Sequence, residues 1–172
     1  MIAITGHTSG LGLAIANRYD GQILGFSRST GHDILDYKAR ICIIDAVRDC
    51  DIFVNNAYAG FSQVHMLYEL YDAWKDLPRL IINISSNSGD SIKQQVHPYA
   101  VYKSALDKAS QQLSYQKSVV QICNLRFGYI DTPSVSHRDQ KKMSVDHACD
   151  WVFSIINSPL TTIVTEITVL PR

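Results

Sequence analysis

Apolar residues follow two rhythms along this chain. Short, nearly unbroken runs rich in Ile and Val at 2–5, 22–26, 51–55, 80–85, 119–125 and 163–169 are bounded by Gly, Asn, Asp or Pro. They read as strands covered on both faces. Between them lie segments with helical spacing at 11–19, 37–48, 62–75, 99–116 and 145–156. In the third of these, Val64, Leu67, Leu70, Tyr71 and Trp74 share one face. Pro98 stands beside a helix start, and Pro78 follows a helix end. Strand and helix alternate throughout, which predicts a parallel sheet with helices on both faces. No repeat, low-complexity tract or linker interrupts residues 1–172, so one doubly wound α/β domain is expected.

Composition narrows the partners. Sixteen basic side chains balance sixteen acidic ones, which gives no electrostatic reason to expect a nucleic acid or an anionic membrane. No apolar run reaches the length of a membrane span. The first residues lack the charged segment and long apolar core of a secretion signal, so cytoplasm with reduced thiols is the expected compartment. Cys42, Cys50, Cys123 and Cys149 are far apart, and the six histidines lack ligand spacing; no metal is expected.

The first strand runs into Thr5-Gly6-His7-Thr8-Ser9-Gly10-Leu11-Gly12 and then a helix. Gly6 permits the tight turn, Gly10 a close approach of backbone to a pyrophosphate, and Gly12 close helix–strand packing. The helix start offers free N–H groups to phosphate. Such glycines also serve turns with no ligand, but a turn between an N-terminal strand and a helix is the context that a dinucleotide site needs. Further on, Tyr99-Ala100-Val101-Tyr102-Lys103 places Tyr99 and Lys103 on one helix face, with Tyr102 off it. An ammonium near a phenol favours the phenolate and lowers the Tyr pKa toward values useful in proton transfer.

Thr5 to Gly12, Asn55-Asn56-Ala57, Ile84-Ser85-Ser86-Asn87-Ser88-Gly89, Tyr99 to Lys103, and Arg126-Phe127-Gly128-Tyr129-Ile130-Asp131-Thr132-Pro133 occur in an order that resembles the short-chain dehydrogenase/reductase family. The resemblance implies a Rossmann sheet of order 3-2-1-4-5-6-7 and hydride transfer between a nicotinamide cofactor and a carbonyl or alcohol. Tyr99 would then exchange the proton. Ser86, thirteen residues earlier, would hydrogen-bond the substrate oxygen, with Ser85 turned away. Lys103 would also hold the nicotinamide ribose. Cofactor contacts carried over are Gly6, Thr8, Ser9, Gly10, Leu11 and Gly12 in the turn, and Asn55, Asn56 and Ala57 beside it. Asp33 and Ile34 would meet the adenine, and Gly128, Ile130 and Thr132 the nicotinamide.

After the second strand, Ser27 occupies the place where an acidic residue would select a free ribose hydroxyl, and Arg28 follows it. A guanidinium among hydroxyls suits a 2′-phosphate, so NADP(H) is favoured over NAD(H). The sequence also departs from the family. Phe127 replaces a proline, and a glycine is displaced to Gly60. His65 takes the register of an Asn that steadies a relay water; it either holds such a water or relays a proton itself, or is an ordinary polar helix residue. The substrate lid shrinks to a flap at 133–144, too short to enclose much substrate. The family pattern implies a homodimer or homotetramer joined through the helices at 62–75 and 99–116. The opposing reading is a dinucleotide-binding sensor with little turnover.

Overall fold

The computed structural model describes residues 1–158 and 162–172. Strands and helices alternate as β1 (Ile2–Thr5), α1 (Gly10–Arg18), β2 (Ile23–Phe26), α2 (Tyr37–Ala46), β3 (Ile52–Asn55) and α3 (Ser62–Trp74). The chain continues through β4 (Leu80–Ser86), α4 (Pro98–Ser114), β5 (Gln121–Phe127), α5 (Val145–Ile156) and β6 (Glu166–Val169). All five strand pairings are parallel, in the order β2-β1-β3-β4-β5-β6. The predicted elements are all present, with ends that shift by a few residues; the last strand starts at Glu166 rather than 163.

The seven-strand order implied by the family pattern is corrected to six strands among the described residues. The outermost strand beyond β2 is the one missing. On leaving β2 the chain makes a 3-10 turn at Arg28–Thr30. Asp36 then caps α2 by accepting from the Lys38 N–H, at 2.9 Å. The stretch between contains no extended apolar run, so β2 is the sheet edge.

Alternate strand residues point to opposite faces. Ala3, Phe53, Ile81 and Ile122 face α2, α3 and α4, where Ile43, Met66, Leu67, Leu70, Trp74 and Leu106 meet them. Ile2, Ile4, Val54, Ile82, Cys123 and Leu125 face α1 and α5, against Ile15, Cys149 and Val152. Met66, Leu70 and Trp74 are thus consumed by the chain's own core, leaving Tyr68 as the exposed large hydrophobic side chain of α3. Among the described residues no helix is long and apolar enough to cross a membrane.

From β1 the chain moves outward to β2, then returns to pair β3 on the other side of β1. The loops leaving β1 and β3 therefore diverge at the carboxyl end of the sheet, opening a crevice where open α/β sheets bind ligands.

Candidate active site

A cleft of about 1140 Å³ occupies that crevice. Its floor is the glycine turn. Gly6 has φ +73°, a conformation costly for any residue with a Cβ. Gly12 is buried behind it, where an added Cβ would lie 2.2 Å from the Gly6 carbonyl oxygen. Two neighbours fix the turn. The Thr5 hydroxyl accepts from the N–H groups of Asn56 and Ala57, each at 3.0 Å. The Asn56 amide donates back to the Thr5 carbonyl at 2.9 Å. Thr8, Ser9, Gly10 and Leu11 line the cleft beside the start of α1.

Hydroxyl groups line the rim at β2. Ser27 Oγ lies 2.9 Å from Ser29 Oγ, and Ser29 donates to Thr8 at 3.4 Å. The exposed Arg28 stands at the start of the 3-10 turn, facing the cleft. Asp33 and Ile34 line the same wall, although the Asp33 carboxylate already accepts from the Leu35 N–H at 3.0 Å. Across the cleft, Gly128, Ile130 and Thr132 form the loop after β5. Met143 is buried and bridges to Ile130, with its N–H bonded to the Tyr129 carbonyl at 2.9 Å. This folds the flap back, so that Val135, His137 and Arg138 face the cleft.

Ser86, Tyr99 and Lys103 meet in the middle. Ser86 ends β4, while α4 begins at Pro98 and so carries Tyr99 in its first turn. Ser86 Oγ accepts from the Ser88 N–H at 3.1 Å and lies beside the Tyr99 phenol, whose pKa it lowers. Burial raises the Tyr99 pKa above its ordinary value and outweighs the lowering by Ser86; Tyr58, Tyr129 and Asp107 raise it further. The phenol pKa is thus raised, where a lowering by Lys103 was expected, and the group is protonated at neutral pH. Lys103 is 3% exposed, and burial brings it down to about 7. Its ammonium lies 5.6 Å from the rings of both Tyr58 and Tyr99. Ser85 turns away, as expected, and donates to the buried Asp107 carboxylate, which also accepts from Asn124 and pairs with Arg126 at 3.0 Å.

Three expected site residues lie off the cleft surface. Gly12 acts from behind the turn. Asn55 is buried and donates to the Gln63 carbonyl and to Asn83 Oδ1, at 3.0 and 2.9 Å. His65 is exposed on the outer face of α3, against Phe61 at 5.9 Å. The side chain of α3 that reaches Lys103 is Gln63, 2% exposed, whose Oε1 accepts from Nζ at 2.8 Å. Sequence reasoning missed it, yet a signal was present: 63, 67, 70 and 74 share a helix face, and Gln63 is the lone polar member. Tyr58 and His97 were also missed. Their rings flank Tyr99 at 4.9 and 6.2 Å.

No protein-family model matches the sequence, and no curated protein matches it. Solved structures match closely in shape. An alcohol dehydrogenase from the archaeon Thermococcus sibiricus, in complex with 5-hydroxy-NADP, has TM-score 0.77 at 16% identity, over 98% of this chain and 95% of that one. A short-chain dehydrogenase/reductase from Vibrio parahaemolyticus has 0.77 at 18%, over 100% of both chains. A short-chain dehydrogenase from Burkholderia cenocepacia, in complex with NADP, has 0.78 at 17%, over 97% of this chain and 86% of that one. With its parallel sheet and the crevice at its carboxyl edge, the chain has the Rossmann fold of the short-chain dehydrogenases/reductases.

Proposed function

We propose that the chain is a nicotinamide-dependent oxidoreductase of the short-chain dehydrogenase/reductase family, acting on a small-molecule carbonyl or alcohol substrate. The observation that carries this reading is the convergence of Ser86, Tyr99 and Lys103 in the cleft whose floor is the glycine turn. A nicotinamide, when bound, supplies or takes the hydride. The residues present fit a dinucleotide: the turn brings bare backbone to the surface, the hydroxyl rim offers donors for ribose or phosphate, and Gly128, Ile130 and Thr132 face the other end.

Tyr99 donates its proton to the carbonyl oxygen during reduction. Its raised pKa suits that role, because the group must be protonated before it acts. Ser86 holds the same oxygen in line, and its hydrogen bond strengthens as negative charge develops there. Lys103 would bind the ribose hydroxyls and stabilise the phenolate that remains. In the reverse direction Tyr99 accepts the alcohol proton. NADP(H) is favoured over NAD(H), supported by Arg28 beside Ser27 and Ser29 and by similar structures that carry NADP or NADPH. Association into a homodimer or homotetramer through α3 and α4 is part of the proposal, and a monomeric mass by light scattering defeats it.

One observation favours the sensor with little turnover: the Tyr58 ring stands edge-on to Tyr99 and over Lys103, crowding the reacting groups. Fluorescence titration with NADPH and NADH, followed by NADPH oxidation with aldehydes, ketones and quinones, separates the readings. Binding with turnover supports the reductase. Binding with silence across the panel supports the sensor. Binding of neither cofactor removes both.

A further inference from the structure

We propose that Gln63 is a positioning residue for Lys103, its side-chain oxygen holding the ammonium at the cleft while its amide nitrogen is anchored to two main-chain carbonyls. The inference rests on the oxidoreductase reading and concerns a residue outside the Ser86, Tyr99 and Lys103 set.

The orientation of the amide follows from its partners. Nε2 donates to the carbonyls of Asn55, at 2.7 Å, and Ile84, at 3.1 Å. A carbonyl only accepts, so the NH2 end must face these two and Oε1 must face Lys103. Lys103 in turn gives one hydrogen to Gln63 and one to the Ile84 carbonyl, each at 2.8 Å. An ammonium has three, so one remains for the cleft. The contact fixes both where the charge sits and how many donors it can offer a ligand.

Gln63 is itself braced. Asn55 Nδ2 bonds its main-chain carbonyl and reaches Asn83 Oδ1; Asn83 Nδ2 donates to Ser110 Oγ at 3.0 Å, and Ser110 donates to the Leu106 carbonyl. This buried ladder joins β3, β4, α3 and α4 around the lysine. Such a network is stabilising when its members are paired, and a gap in it is costly.

The electrostatic surroundings make a neutral partner consequential. From α4, Tyr99 and Asp107 face Lys103. From the loop after β3 comes Tyr58, from β4 the Ile84 carbonyl, and from α3 Gln63. Asp107 favours the charge, but is engaged by Ser85, Asn124 and Arg126. Gln63 is thus the side-chain acceptor in hydrogen-bond contact with Nζ among the described residues. Burial leaves Lys103 titrating at about 7. An amide neither gains nor loses a proton near that pH, so Gln63 orients the lysine without relaying a proton, and proton supply to Tyr99 comes from the cleft side.

The test reads the lysine directly. Lysine-labelled protein is titrated by NMR, with the Lys103 signal assigned through Lys103→Met, in wild type, Gln63→Glu and Gln63→Met. A carboxylate partner should raise the Lys103 midpoint by a unit or more; an apolar one of similar size should lower it by about half a unit or more. Thermal melts identify any variant that fails to fold, and the other variant then carries the test. The alkaline limb of NADPH-dependent reduction should move in the same directions, and NADPH affinity should fall about tenfold in Gln63→Met. An unchanged midpoint, or shifts of one sign in both variants, overturns the proposal even if the wild type binds NADPH and turns over. Opposite shifts in a protein that binds neither NADPH nor NADH would preserve the contact but remove the oxidoreductase reading, and the positioning role with it.

Discussion

The glycine turn after β1 and the Ser86, Tyr99 and Lys103 cluster after β4 lie in one cleft but are built by opposite means. The turn works by what is left out. Gly6 takes a backbone conformation that other residues resist, and Gly12 lets α1 lie where any Cβ would meet the Gly6 carbonyl. The cluster works by what is put in. A nearly dry lysine, a buried glutamine and a ladder of amides and hydroxyls come from the four successive elements β3, α3, β4 and α4. The first region should therefore fail by steric intrusion, with binding and folding affected together. The second should lose chemistry while binding survives.

Tyr99→Phe tests that difference most severely. Turnover should fall by about a thousandfold or more, because loss of a positioned proton donor costs on the order of 10²–10⁴ in rate. NADPH affinity should stay within about twofold, as measured by fluorescence titration. Full activity would remove Tyr99 from the mechanism. Gly12→Ala is the counterpart in the turn. The new methyl at 2.2 Å from backbone cannot be absorbed by a side-chain rotation. It should cost about 1–3 kcal/mol of stability and weaken NADPH binding about a hundredfold in parallel. Lost binding with unchanged melting would show that the turn does not act as one rigid unit with α1.

Lys103→Met should show that the catalytic half carries an energetic penalty absent from the turn. The folded pKa of about 7 lies below the ordinary lysine value. Below about pH 7 both folded and unfolded chains hold the proton, and burial of the charge is fully felt. As pH rises toward about 10.4, the unfolded chain keeps the proton that the folded chain has lost, and stability from this group increases. Lys103→Met should thus raise stability by about 2–4 kcal/mol near pH 6 and by progressively less toward pH 10, while turnover is lost. Melting curves across that range check the slope. A variant less stable at every pH would mean that the bonds to Gln63 and Ile84 outweigh the burial of the charge.

The same contrast decides what was legible in the sequence. A site made of omitted side chains is written contiguously, so Thr5 to Gly12 could be read in one stretch. The Tyr99 and Lys103 pair was legible because four residues make one helical turn, and Ser86 because the family pattern sets its serine just before x-x-G, here Asn87-Ser88-Gly89, and thirteen residues before Tyr99. Gln63 was hidden, since its partner lies forty residues away and only the fold brings them together. His65 took its place in the reading because a relay role was assigned by register, whereas the face of α3 that turns inward carries position 63. The six-strand sheet was present in the hydrophobic pattern; the seventh strand came from the family, and the capped start of α2 leaves no segment to form it. The lowered phenol pKa failed for a simpler reason. Sequence shows which residues share a helix face, but the burial that raises this pKa belongs to the packed chain.

The smallest effect expected is the most local. Arg28 is exposed at the rim of the turn, so its removal should leave folding, turnover with excess cofactor and the Lys103 titration unchanged. What it should alter is preference. A guanidinium can make charge-assisted hydrogen bonds to a 2′-phosphate, and a partly hydrated contact of this kind is worth about 1.4 kcal/mol, roughly tenfold in affinity. Arg28→Ala should weaken NADPH by about that factor and leave NADH within about twofold, in side-by-side fluorescence titrations. The hydroxyls of Ser27, Ser29 and Thr8 remain to hydrogen-bond either form, so residual NADPH binding is expected. An unchanged ratio would make Arg28 a solvated loop residue and leave those hydroxyls as the candidate determinants. A change in turnover at saturating cofactor would be more damaging, because it would mean that the two regions are not separable.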